Sequence, residues 1–333
     1  MKHLHSRRAF LFGSAGTALA LTLTACGGGS STGSGGGTGD GAPETKDITV
    51  GVFPSFNGLG GAIANTSGKF TDKGLTPKVT TFATPAEATP QLLGGQVHFA
   101  LMDMTVPILA ASRGVPLVMV APGTSGKIPE HSGDIGFVNL WVRKDSPFQS
   151  PKDLTDATVA VPQINSQIWQ DVRAAIDADG GDSSKTKFME APNTIAALKA
   201  GQADATTTAE PGGTRTLTDG DLRPLAPIES AGGATAYAFV ATRQFVTANP
   251  NTVKAFVDAI IEANKIANSD KAAAVAAAAA LMNAPADLLD KAIFPTFVEE
   301  PVSQTDLTTA IERMQRYGLL TTDNAPKPEA LLA

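Results

Sequence analysis

The chain has 333 residues, 42% of them hydrophobic and 17% charged, with a formal net charge of −6 and one cysteine. The acidic balance counts against nucleic acid as a partner, because phosphate binding draws on Lys and Arg. A single thiol excludes an internal disulfide, so the body has to bury enough apolar surface to fold unaided.

The first 25 residues read as an export signal. Lys2, Arg7 and Arg8 form a basic head, and Phe10 to Ala25 form an apolar run without an acidic residue. That run is shorter than the ~20 apolar residues that span a bilayer. "SRRAFL" resembles a twin-arginine signal, with the general export route left open, and "LTAC" (Leu23 to Cys26) resembles a bacterial lipobox. In a lipobox the thiol receives a diacylglycerol and becomes the mature N-terminus, so Cys26 is the expected lipidation site and membrane tether. Each buried CH2 adds about 0.8 kcal/mol, and two or more chains hold stably where one does not. Residues 26–46, rich in Gly, Ser and Thr, read as a flexible leash, with a reach of about 5–6 Å times the square root of its length. Without residues 1–25, which carry three basic groups and no acid, the net charge is −9.

The body alternates short apolar runs with amphipathic stretches, the pattern of α/β architecture. "ITVGVF" (Ile48 to Phe53) predicts a strand, "GLGGAIANTSGKF" a weak helix, and "LTPKVTTF" (Leu75 to Phe82) a strand. "PAEATPQLLGG" predicts a helix and "VHFALMD" (Val97 to Asp103) a strand, and "VPILAASRG" with "PLVMVAPG" repeats the alternation. A second series follows: "TVAVP" as strand, "QIWQDVRAAIDADGG" and "TIAALKAGQ" as helices, "ADATTTAEP" as strand and loop. From Pro250 the tail is mostly helical, and its alanine run has charges on both sides, which favours a helix against the body over a membrane element. "LLGGQVHFALMD" and "LKAGQADATTTAE" echo each other as helix, Gly-Gln, strand and polar loop, once in each half.

"GKFTDKGLTPKV", "ATPAEATPQLLGGQVHFALMD", "SPKDLTDATVAV" and "ALKAGQADATTTAEP", in that order and spacing, together resemble solute-binding proteins of ABC importers. The resemblance is to the type II periplasmic-binding-protein fold of the nitrate, sulfonate, taurine and pyrimidine-precursor subgroup. It implies an α/β protein of two lobes, each a mixed sheet flanked by helices, with the ligand cleft between them. By that likeness 47–139 plus 240–333 form lobe one and 140–239 lobe two, with crossings near "NLWVR" and "AYAFVA".

In open α/β sheets ligands sit beyond the carboxyl ends of strands, where helix N-termini expose unpaired N–H groups. Strand ends then nominate Ser55, Phe56, Asn57, Thr84, Asp103 and Thr105 from lobe one. Lobe two contributes Asn165, Ser166, Gln167, Thr208 and Glu210. Each has a plainer alternative. Ser55, Asn57, Thr84, Asp103 and Thr105 are also helix-capping types, Phe56 suits the core, and Glu210 suits a surface charge. Trp169 covers either an apolar part of the solute or the core. Arg113, Lys127 and Arg215 are the cations nearest in sequence, with solvated surface as their default.

The body has two histidines and no further thiol, which makes a zinc site improbable, and it has no complete phosphate loop or nucleophile elbow. No cofactor is expected. The reading is a non-catalytic, monomeric, lipid-anchored receptor on the outer face of the cytoplasmic membrane. It delivers a small polar solute (a sulfonate, nitrate, or a pyrimidine- or aromatic-heterocycle-like compound) to an ABC permease and ATPase. The alternatives are an exported lipid-anchored enzyme and a sensory receptor of the same fold.

Overall fold

The computed structural model describes residues 41–82, 85–130 and 132–333. Cys26, the export signal, most of the leash, Thr84 and His131 lie outside the described residues. Among the described residues no helix is long and apolar enough to cross a membrane.

Among the described residues ten strands form two five-stranded mixed sheets. The first has the order β2-β1-β3-β10-β4, from β1 (Asp47–Val52), β2 (Thr76–Thr81), β3 (Phe99–Asp103), β4 (Leu117–Pro122) and β10 (Tyr237–Thr242). The second has the order β7-β6-β8-β5-β9, from β5 (Val138–Arg143), β6 (Thr158–Val161), β7 (Lys187–Glu190), β8 (Ala205–Ala209) and β9 (Leu222–Pro227). In each sheet one antiparallel strand lies between its neighbours: β10 between β3 and β4, and β5 between β8 and β9. These two strands are "AYAFVA" and "NLWVR", which follow directly on the crossings.

Helices alternate with the strands: α1 (Leu59–Thr66), α2 (Lys69–Asp72), α3 (Pro85–Leu93), α4 (Thr105–Ser112), α5 (Gln167–Ala178), α6 (Thr194–Lys199) and α7 (Gly212–Asp219). The tail adds α8 (Arg243–Ala248), α9 (Pro250–Ser269), α10 (Lys271–Met282), α11 (Ala286–Lys291) and α12 (Gln304–Arg316). α9 buries Phe256, Ala259, Ile260 and Ala263 on one face, the spacing of an amphipathic helix. Phe256 stacks on Phe99 at 3.8 Å and on Phe70 at 5.5 Å, which fixes α9 across the first sheet. The alanine run of α10 buries Ala274, Ala277 and Ala278. It is a helix packed on the core.

The internal echo is a structural repeat. Gly95 and Gly201 both have positive φ, at +69° and +72°, which glycine adopts without a Cβ penalty. Gln96 N donates to Gln91 O and Gln202 N to Ala197 O, so the two helix ends turn alike. Where the turn enters β3, His98 Nδ1 accepts from Thr49 N at 2.9 Å. At the matching point of β8, Asp204 Oδ2 accepts from Thr158 N at 2.9 Å. His98 therefore completes a strand edge, and burial pushes its pKa down, toward the neutral ring that this bond requires.

The chain passes between sheets twice, through 123–137 and 228–236, and the two passages pair with each other. Gly126 N donates to Ala234 O at 2.7 Å, and Ser230 N to Gly126 O at 2.8 Å. A Cβ on Gly126 would lie 1.7 Å from Ser230 O, so glycine is the residue that lets the passages meet.

Candidate functional site

The two sheets turn their strand ends toward one cavity of about 800 Å3, lined from both lobes and from both passages. That volume suits a small solute held largely out of water. Lobe one lines it with Asn57, Asp103 and Val106, and lobe two with Gln163, Ser166, Gln167, Asp171, Thr207 and Thr208. The passages add Thr124, Lys127, Phe137 and Ser230, and Tyr237 stands where β10 begins.

The nominated residues divide accordingly. Asn57, Asp103, Ser166, Gln167 and Thr208 reach the cavity wall. Asn57 Oδ1 also accepts from Thr124 Oγ1 at 2.8 Å. Ser166 caps α5, accepting from Trp169 N at 3.4 Å, while keeping its place on the wall. Gln167 spans the lobes: its Oε1 accepts from Met104 N at 3.3 Å and its Nε2 donates to Ser230 Oγ at 3.0 Å.

The others stand elsewhere. Phe56 is fully buried against Phe294, with ring centroids 4.3 Å apart. Thr105 accepts from Gln170 Nε2 at 3.2 Å, a bond between lobes. Asn165 is exposed, with a φ of 61°, and Ser55 sits before a short 3-10 turn without a side-chain cap bond. Glu210 is buried, and its carboxylate takes Thr214 N and Thr214 Oγ1, each at 2.9 Å. It caps α7. Trp169 packs on Phe188 and Tyr317 with the Arg173 guanidinium over its ring, away from the cavity wall. Of the three cations, Lys127 borders the cavity, exposed, while Arg113 and Arg215 do not border it.

The wall also holds residues that strand ends did not nominate. Tyr237 pairs with Asp103 across β10 and β3. It opens an antiparallel strand, so a search of carboxyl ends passes over it. Phe137 lies on a passage. Thr207 sits inside the run "TTTA", where alternation alone does not tell which hydroxyl faces the site.

Charge on the wall is mostly negative. Asp103 Oδ1 accepts from Thr105 N at 2.9 Å and Val106 N at 3.3 Å, and burial pushes its carboxyl up against those two bonds. Among the described residues no cation pairs with it. Burial pushes Asp171 up to about 6, opposed by Arg313 and by bonds from Ser230 and Ala231. Burial, with Asp103 and Asp171 nearby, raises the Tyr237 phenol, which keeps its proton. Among the described residues no group of three His, Cys, Asp or Glu is placed to hold a metal ion.

Two α/β lobes joined by paired passages around a central cavity define a periplasmic-binding-protein fold. The sequence matches the NMT1/THI5 like family over residues 55–274. The chain belongs to that family. Solved structures agree in fold. The periplasmic aliphatic sulphonate binding protein SsuA from Escherichia coli is 18% identical, with a TM-score of 0.70 over 87% of this chain and 92% of that one. The alkanesulfonate-binding protein SsuA from Xanthomonas axonopodis pv. citri, bound to MOPS, is 17% identical, with a TM-score of 0.70 over 87% and 99%. The periplasmic nitrate-binding protein NrtA from Synechocystis PCC 6803 is 16% identical, with a TM-score of 0.67 over 85% of each chain. No curated protein sequence matches.

Proposed function

We propose that this protein is an extracytoplasmic receptor that holds one small polar solute between its lobes and hands it to an ABC importer. The observation that carries the reading is the cavity itself, about 800 Å3 and walled by both lobes and both passages. A guest touching both walls stabilises the closed form by its differential contacts, and a permease reads the shifted population. The role described for the sulfonate- and nitrate-binding neighbours supports a binding protein that does no chemistry on its cargo. The lipobox pattern around Cys26 supports a lipid tether on the outer face of the cytoplasmic membrane.

Native mass spectrometry tests the binding role. Protein purified without denaturation and mixed with a metabolite extract carries one small molecule per chain, released unchanged. A chemically altered product, or no retained mass at any concentration, refutes the reading. For the tether, labelled palmitate enters the wild-type chain and not Cys26→Ser, which leaves the membrane fraction; equal labelling of both removes the tether.

A further inference from the structure

The cavity's electrostatics say which solute it takes, granted that it takes one. Oxyanion sites of α/β proteins use free N–H groups at helix N-termini. Here, at α4, α5, α6 and α7, the chain's own acceptors take at least one of those N–H groups, while α1 has no side-chain cap bond. Asp103 fills the first turn of α4, accepting from Thr105 N and Val106 N. Ser166 accepts from Trp169 N in α5, Asn193 from Ala196 N in α6, and Glu210 from Thr214 N in α7. An oxyanion at α4 would meet a carboxylate in the place where it needs donors. Among the described residues Lys127 is the one cation on the wall, exposed at its edge, and Arg313 lies behind Asp171, already paired.

Three further features point to a guest that donates. Asp103 lines the cavity with no cation for a partner among the described residues. Thr207 is 2% exposed and lines the same cavity, yet its Oγ1 has no hydrogen-bond partner among the described residues. Buried hydroxyls rarely stay unpaired, because losing water without a replacement bond is costly. Phe137 and Tyr237 present aromatic surface within reach, suited to a cation or an apolar ring. We propose that the cleft selects a solute bearing a protonated amine and an apolar or aromatic portion. Asp103 is its counter-ion, Thr207 and Tyr237 are polar contacts, and Phe137 covers the apolar part. Sulfonates and nitrate are excluded.

The proposal rests on the solute-receptor reading, and the test separates the two. Calorimetry compares benzylamine, 2-phenylethylamine and 4-(aminomethyl)pyridine with benzenesulfonate, 2-phenylethanesulfonate and nitrate. In a parallel arm, native mass spectrometry reads what the protein retains from a metabolite extract. The expected result is binding of one or more amines at least tenfold tighter than any sulfonate, or a retained solute with a basic nitrogen. Asp103→Asn weakens that binding at least tenfold while its unfolding midpoint shows the fold intact. Thr207→Val weakens it by a smaller factor and serves if Asp103→Asn does not fold. A sulfonate or nitrate bound as tightly as the amines overturns the proposal and leaves the receptor reading standing. So does a retained solute without a basic nitrogen, or an amine affinity unchanged in Asp103→Asn and Thr207→Val. If the defined compounds and the extract both give nothing, the receptor reading falls, and this proposal with it.

Discussion

The lobes are joined by a buried ion pair whose removal has a calculable cost. Arg313 Nη2 on α12 lies 2.5 Å from Asp171 Oδ1 on α5, and the two side chains are 9% and 1% exposed. Ser230 Oγ donates to Asp171 Oδ2 at 2.6 Å and Ala231 N to Oδ1 at 3.0 Å, so with Arg313 the carboxylate has three donors from two parts of the chain. Arg313→Met deletes the cation and leaves the acid buried, a change that costs roughly 3–5 kcal/mol when nothing replaces the partner. Ser230 and Ala231 remain, which places the expected loss near the lower bound. The pH dependence gives a second readout. Folded Asp171 binds its proton with a pKa of about 6, against 3.8 for the free group. A group whose folded pKa is raised stabilises the fold at low pH, and that contribution is lost as pH rises from about 4 to about 6. The loss amounts to roughly 3 kcal/mol. Without Arg313 the carboxyl is pushed higher still, so the decline continues beyond pH 6. Urea unfolding followed by circular dichroism from pH 4 to 8 measures all of this. The wild-type advantage over Asp171→Asn should shrink by about 3 kcal/mol across the window, and Arg313→Met should keep falling above it. Parallel profiles for wild type and Asp171→Asn would refute the reasoning, as would an Arg313→Met loss below about 0.5 kcal/mol.

Other consequences are open to test. Gly126→Ala forces a Cβ to 1.7 Å from Ser230 O and should destabilise the protein by about 2 kcal/mol or more, since backbone has to move; an unchanged unfolding midpoint contradicts the paired passages. Thr207→Val removes a hydroxyl that lacks a partner among the described residues, so the solute-free protein should gain about 1 kcal/mol of stability while affinity drops by about threefold to fivefold; thermal melts with and without bound solute check both signs. Gln170 Oε1 and Arg313 Nε lack partners among the described residues and border a second cavity of about 10 Å3. That is room for one water, and a crystal structure at high resolution should show it bonded to both atoms.

Strands buried on both faces were legible because they read as continuous apolar runs: "LVMVAP" is buried at every position. The edge strands of the second sheet were not. β7, "KFME", is four residues long with exposed ends, and β9, "LRPLAP", carries two prolines that only an edge strand tolerates. The resemblance puts the crossings near "NLWVR" and "AYAFVA", and the strands β5 and β10 stand there beside the passages. At the site, polar residues at the ends of parallel strands could be found by position, as with Asp103 and Ser166. Tyr237, Phe137 and Thr207 depend on an antiparallel strand start, a passage and a side-chain direction, none of which a linear pattern encodes. The same limit separates Asn57, on the wall, from its neighbour Phe56, which turns into the core.

The central claim is that a solute lies between the lobes, and a crystal structure of the protein with its bound solute tests it most directly. The account predicts density between Asp103 and Tyr237 on one side and Ser166 and Thr207 on the other. Density on the outer surface of either lobe, with side chains closing the space between those four residues, would contradict it.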